Sequence, residues 1–147
     1  MYFFAKNLKE TKKFAKILKN LILKNKVNNV IVLSGELGSG KTTLIKFLLR
    51  TFAIRDRIFS PTFILWQKFQ LKNKNLTFHH IDCYRLENVN SLLKLGFANY
   101  LKNKNNFFLI EWGEKMLKYL EENKIKYTQL NIINLLRKKR FFYLINH

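Results

Sequence analysis

The stretch Gly35-Glu36-Leu37-Gly38-Ser39-Gly40-Lys41-Thr42 restricts what this chain can become more than any other. It reads G-x-x-x-x-G-K-[ST], the pattern of a loop whose backbone amides wrap a phosphate. Val30-Ile31-Val32-Leu33 precedes it, a short apolar run that suits a strand buried on both faces. Thr43-Leu44-Ile45-Lys46-Phe47-Leu48-Leu49-Arg50 follows, with apolar residues at helical spacing. Strand, glycine-rich loop and helix therefore come in the order the motif needs.

A polyanion explains the residue types. A triphosphate needs many donors close together, and backbone N–H groups are the shortest available. Gly35, Gly38 and Gly40 allow turns closed to other residues and let the chain approach the phosphates. The wrapped amides form a concave anion nest, backed by the positive N-terminus of the next helix. Lys41 is expected to reach the β- and γ-phosphates, and the Thr42 hydroxyl to ligate Mg²⁺.

Composition sets the bounds. At 147 residues and 48% hydrophobic, the chain is expected to form one folded domain over residues 1–147. Its one cysteine, Cys83, has no internal disulfide partner and suits a reducing compartment. Met1-Tyr2-Phe3-Phe4-Ala5-Lys6 lacks the long apolar region of a secretion signal. No apolar stretch approaches the roughly 20 residues of a membrane span. A soluble, cytoplasmic protein without a membrane partner is expected. The formal net charge of +19 has two readings. One is an anion-facing surface, as for nucleic acid. The other is compositional bias towards Lys, Asn, Ile and Phe, which the scatter of the lysines favours.

In chain order, Tyr2-Phe3-Phe4 suits a short edge strand. Asn7 is placed as an N-cap, with Glu10 completing a capping-box-like pair, and apolar spacing predicts a helix over 8–23. Pro61, the single proline, stiffens the loop after the phosphate-binding helix. Ser60 and Thr62 there can offer hydroxyls to a γ-phosphate as a switch segment does, or simply lead into a strand. Residues 63–71 and 76–82 read as two strands around a polar turn. Asp82 ends the second, where open α/β sheets bind ligands. His79, His80, Asp82 and Cys83 lie close together, but no second ligand pair completes a transition-metal site. Alternation puts His80 and Asp82 on one face and His79 on the other.

Residues 91–101 read as one helical stretch. Phe107-Phe108-Leu109-Ile110-Glu111 reads as a buried strand closed by one acid, the shape of the second NTPase motif, whose carboxylate holds Mg²⁺ or its water. Trp112 is core or a partner contact. Residues 113–123 read as a helix, and 127–135 with 141–145 as a hairpin around the basic turn Arg137-Lys138-Lys139-Arg140.

Taken together, Gly-Glu-Leu-Gly-Ser-Gly-Lys-Thr-Thr (35–43), Ser-Pro-Thr-Phe (60–63), His-Ile-Asp-Cys-Tyr-Arg-Leu (80–86), Leu-Gly (95–96) and Ile-Glu-Trp (110–112) resemble the TsaE (YjeE) family in order and spacing. The resemblance implies a small bacterial P-loop ATPase using ATP and Mg²⁺. It implies work with the TsaB–TsaD assembly in making N6-threonylcarbamoyladenosine at position 37 of tRNA, with tRNA met only through that assembly. By matching positions, Gly35 to Gly40 with Lys41, Thr42 and Thr43 hold phosphate and Mg²⁺. Asp82 and Glu111 are the two essential acids, Glu111 on the Mg²⁺ side and Asp82 reaching it directly or through water. Pro61 and Thr62 belong to a switch-like loop, Trp112 lies near nucleotide and partner, and Thr11 matches a threonine near the adenine. Gly113 stands where the family usually has proline. Hydrolysis is expected to be slow alone and faster with the partners docked. A P-loop phosphotransferase and a nucleic-acid-binding module that keeps ATP as a ligand are the alternatives. The expected fold is α/β: a P-loop NTPase-like three-layer domain with a mixed, mainly parallel sheet, helices on both faces and a C-terminal hairpin.

Overall fold

Apolar runs at both strand and helix periods must bury each other, and they do so here around one sheet. A computed structural model describes residues 1–56, 65–71, 75–135 and 139–147. The strands are β1 (Tyr2–Ala5), β2 (Val30–Ser34), β3 (Trp66–Leu71), β4 (Leu76–Asp82), β5 (Asn106–Glu111), β6 (Tyr127–Leu135) and β7 (Lys139–Asn146). The helices are α1 (Leu8–Leu23), α2 (Lys41–Thr51), α3 (Asn90–Lys94), α4 (Phe97–Leu101) and α5 (Leu117–Glu122), with a 3₁₀ turn at Gly113–Met116. The strands form a 7-stranded sheet in the order β1-β7-β6-β2-β5-β4-β3. The β6–β2, β2–β5 and β5–β4 pairs are parallel, and the outer pairs are antiparallel.

Strand burial follows this layout. Every residue of β2 and of β5 is buried, as central parallel strands require. One face carries α1 and α2. Phe14 of α1 stacks on Phe142 of β7 at 4.4 Å and on Phe3 of β1 at 5.1 Å. Such ring pairs add about 0.5–1.5 kcal/mol beyond their buried area, so they fix α1 to the sheet edge. The other face carries the helices and 3₁₀ turn that follow β4 and β5, packed on Val30, Val32, Ile81, Phe108 and Ile110.

Four local expectations are corrected. The Asn7 side chain does accept from Glu10 N at 3.1 Å, but the Glu10 carboxylate returns to Lys6 N at 2.8 Å, one residue before the cap. Residues 91–101 are not one helix. Gly96 takes φ +87°, which ends α3 and starts α4. The stretch 113–123 begins as a 3₁₀ turn before α5. Arg140, placed in a turn by its basic neighbours, lies within β7 opposite Ala5. The expected loop residues Ser60, Pro61 and Thr62, the first two residues of the 63–71 strand, and Arg137 and Lys138 lie outside the described residues. Among the described residues no helix is long and apolar enough to cross a membrane.

The alternation along β4 separates the two histidines as expected. His79 stacks on Phe108 at 4.6 Å, and its Nδ1 accepts from Trp66 Nε1 at 3.0 Å. Burial pushes the His79 pKa from 6.5 down to about 4. Above pH 6.5 both folded and unfolded chains carry it neutral. Between there and about pH 4 the unfolded chain takes a proton that the folded one refuses. Stability should therefore fall over that window as pH drops, read by denaturant melts. His79→Asn, whose amide oxygen lies at the depth of Nδ1 and can still accept from Trp66, should remove this part of the pH dependence.

Candidate functional site

The parallel register sets three strand ends side by side. Leu33 of β2 pairs with Glu111 of β5, and Asp82 of β4 pairs with Glu111 from the other side. Residues paired across parallel strands point to the same face. The two acids thus meet on the α2 side, just where β2 runs out into the glycine-rich loop.

That loop is built as a phosphate nest requires. Gly40 precedes α2 at φ +104°, and a Cβ there would come within 2.8 Å of Arg140 Nε. The backbone conformation there favours glycine, and any side chain would also require Arg140 to shift. Leu44 N, bonded to Gly40 O at 2.9 Å, closes the first turn of α2. The amides of Lys41, Thr42 and Thr43 come before it and have no carbonyl within the helix to bond. Ser39 is fully buried, and its Oγ finds no hydrogen-bond partner among the described residues. Leu37, by contrast, is 78% exposed and contributes only backbone.

Lys41 is the charged centre. Only 5% exposed, its Nζ donates to Gly35 O at 2.7 Å and Glu36 O at 3.0 Å. The same ammonium lies 3.8 Å from the centroid of the Trp112 ring. Burial lowers its pKa from 10.5, while Glu111, Glu114 and Asp82 pull it back up. Trp112 takes this position in a left-handed backbone conformation, φ 54° and ψ 35°. That is an uncommon state for an aromatic residue and places its ring over the loop.

Glu111 is held at both oxygens. Oε2 accepts the Thr42 hydroxyl at 2.8 Å, and Oε1 lies 2.8 Å from His80 Nε2. Asp82 accepts the Tyr84 amide at Oδ1, 2.8 Å away. Its pKa is raised, by burial first and by the neighbouring Glu111 charge as well. A pocket lined by Leu37, Gly38, Gly40, Lys41, Thr42, Thr43, Asp82, Tyr84, Glu111, Trp112 and Arg140 joins these groups.

Most of the expected site residues therefore converge. Gly35, Glu36 and Ser39 shape the loop from behind. Thr11 does not line this pocket; its hydroxyl donates to Asn7 O within α1 at 3.3 Å. Pro61 and Thr62 are not described. Three residues that sequence reasoning did not place here belong to the site. Arg140 reaches from β7 and donates Nε to Ser39 O at 2.8 Å. Tyr84 packs on Trp112 at 5.1 Å between centroids. His80 holds Glu111; its alternation with Asp82 and its place at the head of the 80–86 motif are the signals that pointed to it. Arg140 carried no such signal, because β6 and β7 follow β5 in sequence but lie on the far side of β2.

The donor set suits Mg²⁺ held together with phosphate. Thr42 and two carboxylates offer hard oxygen ligands, fewer than a full octahedral shell. Mg²⁺ commonly completes such a shell with phosphate oxygens and water. Among the described residues no cluster of three or more His, Cys, Asp and Glu could hold a metal by itself.

A sequence model of the family "Threonylcarbamoyl adenosine biosynthesis protein TsaE" matches residues 5–140. The tRNA threonylcarbamoyladenosine biosynthesis protein TsaE of Rickettsia felis is 39% identical over 115 residues, 78% of this chain and 63% of that protein. The protein of the same name from Rickettsia conorii is 39% identical over 112 residues, 76% of this chain and 59% of its own length. The matched stretch thus spans less than two thirds of either relative. The crystal structure of YdiB from Bacillus subtilis superposes with a TM-score of 0.63 at 22% identity, over 97% of this chain and 82% of that one. It shares the fold.

Packing explains a glycine at position 113. A Cβ on Gly113 would meet Val32 Cγ1 at 2.7 Å and Ile110 Cγ2 at 3.2 Å. Contact with β2 holds this turn, rather than a ring-fixed φ. Gly113→Ala should cost about 1–3 kcal/mol in denaturant melts, as overpacking does. An unchanged midpoint would show that the turn rides loosely on β2.

Proposed function

The chain belongs to the TsaE family, and from that premise we propose that it is the ATP-hydrolysing component of the bacterial system that installs threonylcarbamoyladenosine at position 37 of tRNA. Its partners in this reading are TsaB and TsaD, and it meets tRNA through them. The whole chain, residues 1–147, acts as one P-loop ATPase domain.

One observation carries the ATPase reading: the Thr42 hydroxyl donates to Glu111 Oε2 at 2.8 Å, directly beside the loop lysine. This bond joins the start of the phosphate-facing helix to an acid on a neighbouring strand. A purely structural loop would not need a carboxylate that is only 3% exposed at that point.

The residues divide the work as follows. The amides at the start of α2 bind phosphate oxygens. The Lys41 ammonium turns from two neutral carbonyls to a charged phosphate, a stronger partner. Thr42 and Glu111 would hold Mg²⁺, with Asp82 beside them directly or through water. When bound, the ion would offset negative charge on the phosphate oxygens. Asp82, with its raised pKa, orients the attacking water and can accept its proton. Trp112 and Tyr84 cover the lysine side of the pocket. Among the described residues, Lys41 and Arg140 are the only cations that line the pocket. That scarcity supports slow turnover alone and acceleration when the partner assembly closes over the site.

Phosphate release by the purified protein, with and without TsaB–TsaD, tests this reading. Turnover should rise when the partners are added, and an equal rate with and without them would overturn the coupling. Lys41→Ala should abolish tight nucleotide binding. Glu111→Ala should cut kcat by about a hundredfold or more while nucleotide still binds. Full turnover in Glu111→Ala would remove that acid from the site.

A further inference from the structure

His80 is fully buried on the α2 face of β4, yet the hydrolytic scheme above gives it no task. Its Nε2 lies 2.8 Å from Glu111 Oε1. The other Glu111 oxygen already accepts the Thr42 hydroxyl. A carboxylate that uses both oxygens as acceptors needs donors on both sides. Nε2 is therefore the nitrogen that carries a proton towards Glu111. His80 Nδ1, equally buried, has no hydrogen-bond partner among the described residues. A ring placed for its own comfort would satisfy both nitrogens. This one satisfies the nitrogen that faces Glu111 and leaves the other without a partner among the described residues.

The geometry is well suited to aiming a side chain. Glu111 has three rotatable bonds, and backbone pairing fixes only its Cα. The Thr42 hydroxyl restrains one oxygen, but a single contact leaves the carboxylate plane free to turn. His80 is two residues before Asp82 on the same strand face, and Asp82 pairs with Glu111. The imidazole thus comes from behind, on the buried side, and pins the second oxygen. With both oxygens held, the carboxylate plane is fixed towards the phosphate loop.

We propose that His80 is a positioning residue: it donates Nε2–H to Glu111 and fixes the face that this acid turns to Thr42 and a phosphate-bound divalent cation. The role rests on the nucleotide reading of the site. It also makes a specific demand on residue 80. The position needs a donor at the depth of Nε2, and shape alone will not serve. Glutamine places an amide nitrogen at that depth, asparagine places one short of it, and leucine offers volume without a donor.

The test uses the full chain. Long-range ¹H–¹⁵N spectra of the metal-free protein should show His80 protonated at Nε2, with the Nε2 signal shifting in Glu111→Gln. Mn²⁺ binding in the presence of ADP, read by water-proton relaxation, should weaken about 10- to 100-fold in His80→Leu and His80→Asn. ADP affinity without metal should not move. His80→Gln should recover Mn²⁺ affinity to within about threefold of the parent and recover kcat with it. Equal Mn²⁺ affinity in the parent, His80→Leu and His80→Asn would overturn the proposal, as would an Nε2 that carries no proton. If His80→Leu fails to fold, the comparison of His80→Gln with His80→Asn decides alone. Failure of the nucleotide reading looks different: the parent itself would bind no Mn·ADP. That result would overturn the positioning role towards a cation too, while the tautomer spectrum still reported the His80–Glu111 bond.

Discussion

The register of the central parallel strands is the constraint from which everything else follows. Leu33, Glu111 and Asp82 stand in one row across β2, β5 and β4. Because the side-chain period of a strand is two, a slip of one residue would turn both acids to the opposite face. The register itself is set by burial on both faces of β2 and β5. Apolar packing thus decides where two carboxylates stand, although neither contributes to that packing. The hydrogen bond from Thr42 to Glu111 then ties α2 to the same row.

This row creates an electrostatic balance that no single residue explains. Lys41 is buried, which disfavours its charge, and Glu111, Glu114 and Asp82 offset that cost. Asp82 is pushed the other way by its own burial and by Glu111, and is partly relieved by the Tyr84 amide, His80 and Lys41. Bringing phosphate to the loop would add negative charge beside these acids, and a cation between them would remove it. The arrangement favours anion and cation together over either alone, because each compensates the field the other imposes. Arg140 adds a further cation from β7 and braces the loop through Ser39 O.

Much of this was legible in the sequence because it is written locally. The strand–loop–helix order around Lys41, the α1 helix from Leu8 to Leu23 and the Asn7 cap depend on neighbours in the chain. The two acids were legible because each closes an apolar run. What stayed hidden depends on contacts distant in sequence or on backbone conformation. Arg140 reaches the loop because β6 and β7 pack beside β2, and no local pattern encodes that order. The break at Gly96 was visible as a glycine, but whether a helix tolerates or exploits one depends on its surroundings. The need for Gly113 follows from the closeness of Val32, 81 residues earlier (113 − 32), and cannot be read from the turn alone. His80 was half visible. Alternation placed it on the acidic face, but only the register brought it to Glu111.

The central physical claim is that Thr42 and Glu111 act as one unit towards a cation bound with phosphate. A double-mutant cycle on the Mg²⁺ enhancement of ADP affinity measures this most directly, using Thr42→Val, Glu111→Gln and the pair. Each single change should remove most of the enhancement, and the pair should remove little more, giving strong coupling. Independent, additive losses, or an enhancement that survives both changes, would contradict it.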